Sequence, residues 1–377
     1  MGAVKNIRGI FPLLAGLACA ALCLPALPWL ARTVGSPDAA TVGERRQRDS
    51  AEAYAMYANN LVSASLDGLI AIPKVYSLSE ELVTAPMPQE ACFGSSSEAS
   101  DSAEALEQAV ERFRPAFTVW NTGRELFPGS RVRWYLDDTI FSVTWKEAFG
   151  NSTYSLSEVL VAHPSQFRRY LAEDTFGSPR QFLPTEMAAS VNAVTALSAD
   201  FYKFRTIGTV VYRRRLCRFD GASLDTCFVN GSGDLLLVPR GTLTSEDEAS
   251  EYIARNDVLF SLCFGPIMVE DGLVRVPDSY PIGEINDQYS RCCICQVGAL
   301  HYLLVTANGE PPYAGRPTLR QFAEAVCSLG VRSAYALDGG QTATMYAGGQ
   351  LINSVDFGYQ RMVSDIIYFA TAYPEEP

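Results

Sequence analysis

From Val132 onward the chain breaks into short apolar segments separated by turn residues, and this constrains the fold more than any other feature. Strand candidates are Val132–Leu136 and Thr139–Trp145, joined by Asp137-Asp138, then Ile207–Tyr212, Leu235–Val238, Ile267–Val269, His301–Thr306, Ser333–Leu337, Thr342–Tyr346 and Val363–Phe369. One helix stands out among them. In Leu319–Leu329 the apolar residues Leu319, Phe322, Ala323 and Val326 fall at i, i+3, i+4 and i+7, with Thr318 as cap and Gly330 as terminator. Strands outnumber helices and several are joined by short loops. The expected fold class is therefore α+β, with mixed, largely antiparallel sheets and flanking helices.

Ahead of this region, Ile10 to Ala31 is an apolar run without a charged residue, close to the roughly 20 residues a bilayer crossing needs. Lys5 and Arg8 precede it, so it reads as a signal anchor or as a signal peptide that is later cut. Arg32, Arg45, Arg46 and Arg48 follow it, which by charge count disfavours export. Long following domains translocate largely regardless of charge, and export is the expectation: a single N-terminal span in the cell membrane with the domain outside, or a secreted domain. Ser36 to Asp49 reads as a polar tether and Ser50–Leu66 as a helix, followed by Pro73, Pro86 and Pro88. The Ser-rich stretch Gly94–Ser102 is expected to be a loop, and a second helix runs from about Ser102 to Arg114 before Pro115. The expected organisation is a membrane segment (1–34), a tether and helical accessory region (35–130) and a folded domain (131–374).

The net charge of -12, with no long basic run, argues against nucleic acid as a partner. An anionic substrate would need a local cluster of arginines and backbone N–H groups. Of ten cysteines, Cys19 and Cys23 lie in the apolar run. The rest allow buried thiols on a strand, disulfides such as Cys217–Cys227, or a metal, although Cys292-Cys293-x-Cys295 lacks paired C-x-x-C spacing. With two histidines and no Gly-x-Ser-x-Gly elbow, nothing supports a Ser-His-Asp triad.

Chemistry concentrates between Leu319 and Asp365. A strand delivers Asp338 at its tip, and Gly339 and Gly340 let the chain turn tightly and let a ligand approach the main chain. Their N–H groups suit an anion. Thr342 and Thr344 alternate on the next expected strand, Asn353 follows a Gly-Gly turn, and Arg361 and Asp365 precede the last strand. Spacing by itself leaves open that Asp-Gly-Gly is a plain turn. Elsewhere, His163 with Arg168 and Arg169 reads as a helix start or as an anion-holding rim. His301, at the start of an apolar strand, is either a structural histidine or a binding residue.

The stretch Ala336-Leu337-Asp338-Gly339-Gly340-Gln341-Thr342-Ala343-Thr344-Met345 resembles the signature strand-Asp-Gly-Gly-Gly-Ser-Ser/Thr-Thr-Met of the phosphodiester glycosidase family. The flanking order agrees: Phe264-Gly265-Pro266 before a strand, Arg291, the strand from His301, the helix from Leu319, Asn353, and Arg361-Met362-Val363-Ser364-Asp365. Gln341 replaces the third glycine, and the family's Asn-Gly-x-Phe-Phe appears as Ala199-Asp200-Phe201-Tyr202. The resemblance implies hydrolysis of a sugar-1-phosphodiester bond in a surface or extracellular glycan. Asp338 would be nucleophile or base, with Arg291 and Arg361 on the phosphate and Gly339 and Gly340 as N–H donors. Asp200, Thr342 and Thr344 would hold the sugar, Asp200 would share the catalytic role with Asp338, Asn353 would bind substrate, and Asp365 would orient Arg361. An arginine contact is expected to keep Asp338 ionised at neutral pH. The alternative is a non-catalytic binding module for anionic cell-wall or capsule polysaccharide. No cofactor is called for, though Asp338 and Asp200 are oxygen ligands that leave room for a divalent metal.

Overall fold

A computed structural model describes residues 76–373, apart from residues 116, 283 and 310–314. Nine strands form the largest sheet, in the order Phe93–Ser96, Val132–Leu136, Ile140–Phe149, Ser152–Val161, His301–Asn308, Arg291–Gly298, Ser333–Leu337, Ile267–Glu270 and Leu273–Val274. A five-stranded sheet runs Gln350–Leu351, Met345–Ala347, Thr195–Ser198, Asp365–Phe369 and Phe167–Leu171. Smaller sheets of three strands (Leu235–Val238, Thr226–Asn230, Val258–Leu262) and two strands (Val210–Tyr212, Arg215–Arg218) complete the domain. Every strand pairing among the described residues is antiparallel.

The central strands of the large sheet are buried on both faces. Along Arg291–Gly298, Cys292 and Ile294 join the core shared with the five- and three-stranded sheets, where Leu197, Met345, Ile367 and Phe260 lie. Cys293 and Cys295 point the other way, into the core beneath Leu319–Ser328. Alternating residues thus meet apolar partners on either side, which is why Cys-Cys-Ile-Cys and Tyr-Leu-Leu-Val are uninterrupted. The Cys293 and Cys295 sulfurs lie 3.6 Å apart, and all eight described cysteines are free thiols. The proposed Cys217–Cys227 bridge is not formed: Cys227 sits in the core strand Thr226–Asn230 and Cys217 in the neighbouring two-stranded sheet.

Helix Leu319–Ser328 forms as its pattern predicts. Thr318 accepts from the Gln321 N–H at 3.3 Å, the Gln321 side chain accepts from Thr318 N–H at 3.0 Å, and Leu319, Phe322, Ala323 and Val326 are buried. Three expectations need correction. Gly94–Ser96 belongs to an edge strand rather than a loop, with Gly94 packed so closely on Trp134 that a Cβ would fall 2.2 Å from its ring. Residues 340–342 form a single 3-10 turn, so the strand expected from Thr342 starts at Met345. The stretch from His163 gives one 3-10 turn and then the strand Phe167–Leu171. Among the described residues no helix is long and apolar enough to cross a membrane. The apolar run Ile10–Ala31 and the expected helix Ser50–Leu66 lie outside them.

Candidate active site

Strand Ser333–Leu337 ends where the two larger sheets face each other, and Asp338 is the next residue. Its N–H donates to Ala199 O at 2.9 Å, tying the strand end to the chain leaving Thr195–Ser198. Gly339 passes against Ser290: a Cβ there would fall 2.5 Å from Ser290 O, so no larger residue fits. Gly340 adopts φ +62 and its N–H donates to Ser290 O at 2.8 Å. That donor is therefore spent on the protein, contrary to its expected role toward an anion. The Thr342 hydroxyl lies 2.6 Å from Gly339 O and also hydrogen-bonds the Asp338 carboxyl.

Asp338 is half-buried. Burial pushes its carboxyl up to about 7, and nearby Asp200 adds to this. The Thr342 hydrogen bond and the charges of Arg205 and Arg361 pull the other way without prevailing. The expectation of a fully ionised group at neutral pH is thus corrected: desolvation outweighs the arginines, and the group is balanced between its two forms.

Beneath it lies a buried ion cluster. Arg169 donates to Asp365 Oδ2 through Nε at 2.8 Å and Nη2 at 2.6 Å, and Nη2 lies 3.4 Å from Asp200 Oδ2. Asp365 Oδ1 accepts from Asp200 N–H at 3.1 Å, while Asp200 accepts from the N–H groups of Cys263 and Phe201, each at 2.7 Å. Two expectations fall here. Asp365 serves Arg169 rather than orienting Arg361, and the Asp200 oxygens are occupied by the protein instead of facing a sugar. Arg169, read from sequence as part of a surface stretch, is buried.

Other candidates are placed differently. The Arg291 guanidinium donates to the carbonyls of Glu284 (2.8 Å), Asp287 (2.6 Å) and Pro317 (3.4 Å). Its donors brace a loop rather than face Asp338. Asn353 is a clamp: its oxygen accepts from Met345 N–H at 2.7 Å and its amide donates to Ala343 O, also at 2.7 Å, which fixes the chain after the 3-10 turn. Thr344 is buried with its hydroxyl unpartnered among the described residues. His301 is at the opposite end of its strand from the site, with Nε2 2.6 Å from Glu158 Oε1. Glu158 also accepts from the N–H groups of Val119 (2.7 Å) and Trp120 (2.6 Å), so His301 is structural. Arg361 is exposed beside Asp338, on a segment where Phe357, Tyr359 and Met362 are also exposed. Gln341 Nε2 donates to Tyr359 O at 3.1 Å, joining that segment to the Asp-Gly-Gly turn. His163, Arg168 and Arg169 line a separate cavity of about 200 Å³, where Arg168 is committed to backbone carbonyls of residues 79–82 and Ser165.

Sequence reasoning missed Arg205. Its guanidinium carbon lies 4.8 Å from the Phe201 ring centre and 5.1 Å from that of Phe264. No local signal marks it, because the two rings come from distant parts of the chain. Among the described residues no group of three or more His, Cys, Asp or Glu is arranged to hold a metal ion.

Residues 191–370 match the family model described as phosphodiester glycosidase. This stretch belongs to the phosphodiester glycosidase family. The family is hydrolytic, and the span contains every candidate site residue from Asp200 to Asp365. Several strands of the nine-stranded sheet, from Phe93–Ser96 to Ser152–Val161, precede the matched phosphodiester glycosidase stretch. The fold is similar to that of the zebrafish N-acetylglucosamine-1-phosphodiester alpha-N-acetylglucosaminidase catalytic domain, described as auto-inhibited by its pro-peptide. Identity is 15%, coverage is 62% of this chain and 84% of that one, and the TM-score is 0.50. A hypothetical protein from Synechocystis is also similar, with 13% identity, 61% of this chain and 62% of that chain covered, and a TM-score of 0.43. A comparison with curated proteins found no match.

Proposed function

We propose that the domain hydrolyses the bond between an anomeric carbon and a phosphate oxygen in a sugar-1-phosphodiester, with Asp338 as the acting carboxylate. The observation that carries this reading is Asp338 itself: a carboxyl at a strand end, desolvated to about 7, and flanked by the charges of Arg205 and Arg361. Cleavage at an anomeric carbon uses a carboxylate, and a phosphate diester is bound by cations. Ionised Asp338 either attacks the carbon, forming a glycosyl ester that water then hydrolyses to regenerate the carboxylate, or takes a proton from the attacking water. The carbon–oxygen bond breaks with its electron pair leaving on the phosphate oxygen, and the products are free sugar and a phosphomonoester. Such a leaving group is a weak base and needs little help from a general acid. A surface or extracellular glycan as substrate accords with the export expected from the apolar run Ile10–Ala31.

The test is release of sugar from a panel of sugar-1-phosphodiesters by the full chain and by Asp338→Asn. Release by wild type and not by the variant is expected. Equal release by both removes Asp338 from the reaction. Release by neither, with retained affinity for anionic cell-wall polysaccharide, replaces the hydrolase reading with a binding module.

A further inference from the structure

We propose that Arg205 holds the phosphate at the scissile bond, offering an Nη1 N–H to a non-bridging oxygen; this rests on the hydrolase reading above. Three observations place it there. First, its clamp sits at the site. Phe201 follows the Ala199 carbonyl that accepts from Asp338 N–H, and Phe264 precedes Gly265, whose N–H donates to Ala336 O at 3.2 Å. Both rings therefore sit on segments hydrogen-bonded to the strand that delivers Asp338 or to its end. Second, the rings lie within about 5 Å of the guanidinium carbon (4.8 and 5.1 Å), leaving its in-plane N–H groups as the part that can reach a ligand. Third, Nη1 is buried and has no hydrogen-bond partner among the described residues. A charged donor in that state is costly unless a ligand completes it.

Neighbouring arginines differ in this respect. Arg169 is consumed by Asp365 and Asp200, and Arg291 by backbone carbonyls. Arg218 donates to the carbonyls of Tyr202 (2.9 Å), Ile207 (2.7 Å) and Gly208 (2.8 Å), and so fixes the loop that carries Arg205. Arg205 is thus a held cation with an open valence, next to the carboxylate proposed to act.

The experiment compares Arg205→Gln and Arg205→Lys with wild type on two substrates of the same sugar, a 1-phosphodiester and a neutral 4-nitrophenyl glycoside. Circular dichroism checks that each variant is folded. Arg205→Gln is expected to lower kcat/KM about 100-fold on the phosphodiester and less than about 3-fold on the neutral glycoside, with Arg205→Lys intermediate. Equal losses on both substrates, or none on either, overturn the proposal. In parallel, inorganic phosphate is titrated calorimetrically into Asp338→Asn with and without Arg205→Gln. Affinity weakened at least about 10-fold by the second change supports the site; unchanged affinity, or no binding by Asp338→Asn, overturns it. Should wild type hydrolyse nothing, the hydrolase reading fails by itself, and the titration still decides whether Arg205 is an anion site.

Discussion

Arg169 and Asp365 form a buried ion pair in which two guanidinium nitrogens, at 2.6 and 2.8 Å, converge on a single carboxylate oxygen. Asp200 shares the same guanidinium, so removing the cation leaves two acids uncompensated in a dry interior. Arg169→Met should therefore cost about 3–5 kcal/mol, read as a lower urea midpoint, or prevent folding altogether. Arg169→Lys should recover little, because a single ammonium cannot satisfy Asp365 through two nitrogens and also reach Asp200. A midpoint unchanged in Arg169→Met would show that the cluster is not needed for the fold.

Asp338 carries a pH signature of opposite sign to that of most carboxylates. Its folded value of about 7 lies above the ordinary value of 3.8, so the folded protein keeps a proton that the unfolded chain gives up. Stability should fall as pH rises from about 4 to about 7 and be unaffected by this group outside that window. Asp338→Asn should lose that slope and exceed wild type in stability above pH 7. The upper bound is about 4 kcal/mol, reduced because the residue is only half-buried. Thermal unfolding across pH 4–8 checks this; parallel curves for the two proteins would contradict it.

The same titration predicts the rate profile. With the ionised carboxylate as the reactive form, kcat/KM should climb with pH and level off above about 7. Arg361→Ala should shift the midpoint upward, since a charge that favours ionisation is gone. A midpoint that stays put would remove Arg361 from the surroundings of Asp338.

Gly339→Ala tests the turn. The added methyl would meet Ser290 O at 2.5 Å, and backbone cannot swing aside as a side chain can. A stability loss of about 1–3 kcal/mol is expected, with turnover down about 100-fold as Asp338 is displaced. Thermal melting and steady-state kinetics together separate this from simple unfolding.

His301→Ala should do the reverse. It deprives Glu158 of one partner, at a cost of about 1–3 kcal/mol, while kcat/KM stays at the wild-type level. A fall in kcat/KM out of proportion to the lost stability would return His301 to the site.

The position of Asp338 is legible in the sequence because a strand followed by two glycines marks a sharp exit: Gly339 has no room beside Ser290 O, and Gly340 takes a positive φ. Helix Leu319–Ser328 is legible for similarly local reasons, its cap and its apolar stripe. Partnerships between carboxylates and arginines are not. Arg169 meets Asp365 because Ile367 pairs with Arg169 across neighbouring strands, a register that no local pattern encodes. Ser152–Val161 escapes detection because its serines, threonine and glutamate are all buried, so polarity does not report its faces. Arg205 is invisible for the same reason as Arg169: its meaning comes from rings that only the folded chain brings together.

The Asp338 N–H to Ala199 O bond is a peg between two layers of the domain. A carboxylate fixed by such a peg takes its position first from the two sheets it joins. Exposed side chains around it, such as Phe357 and Tyr359, are therefore free to change without moving the carboxylate, while Asn353 keeps its place in the turn. Whatever ligand the site takes, its preference can drift by substitution at those exposed positions while Asp338 stays where the sheets put it.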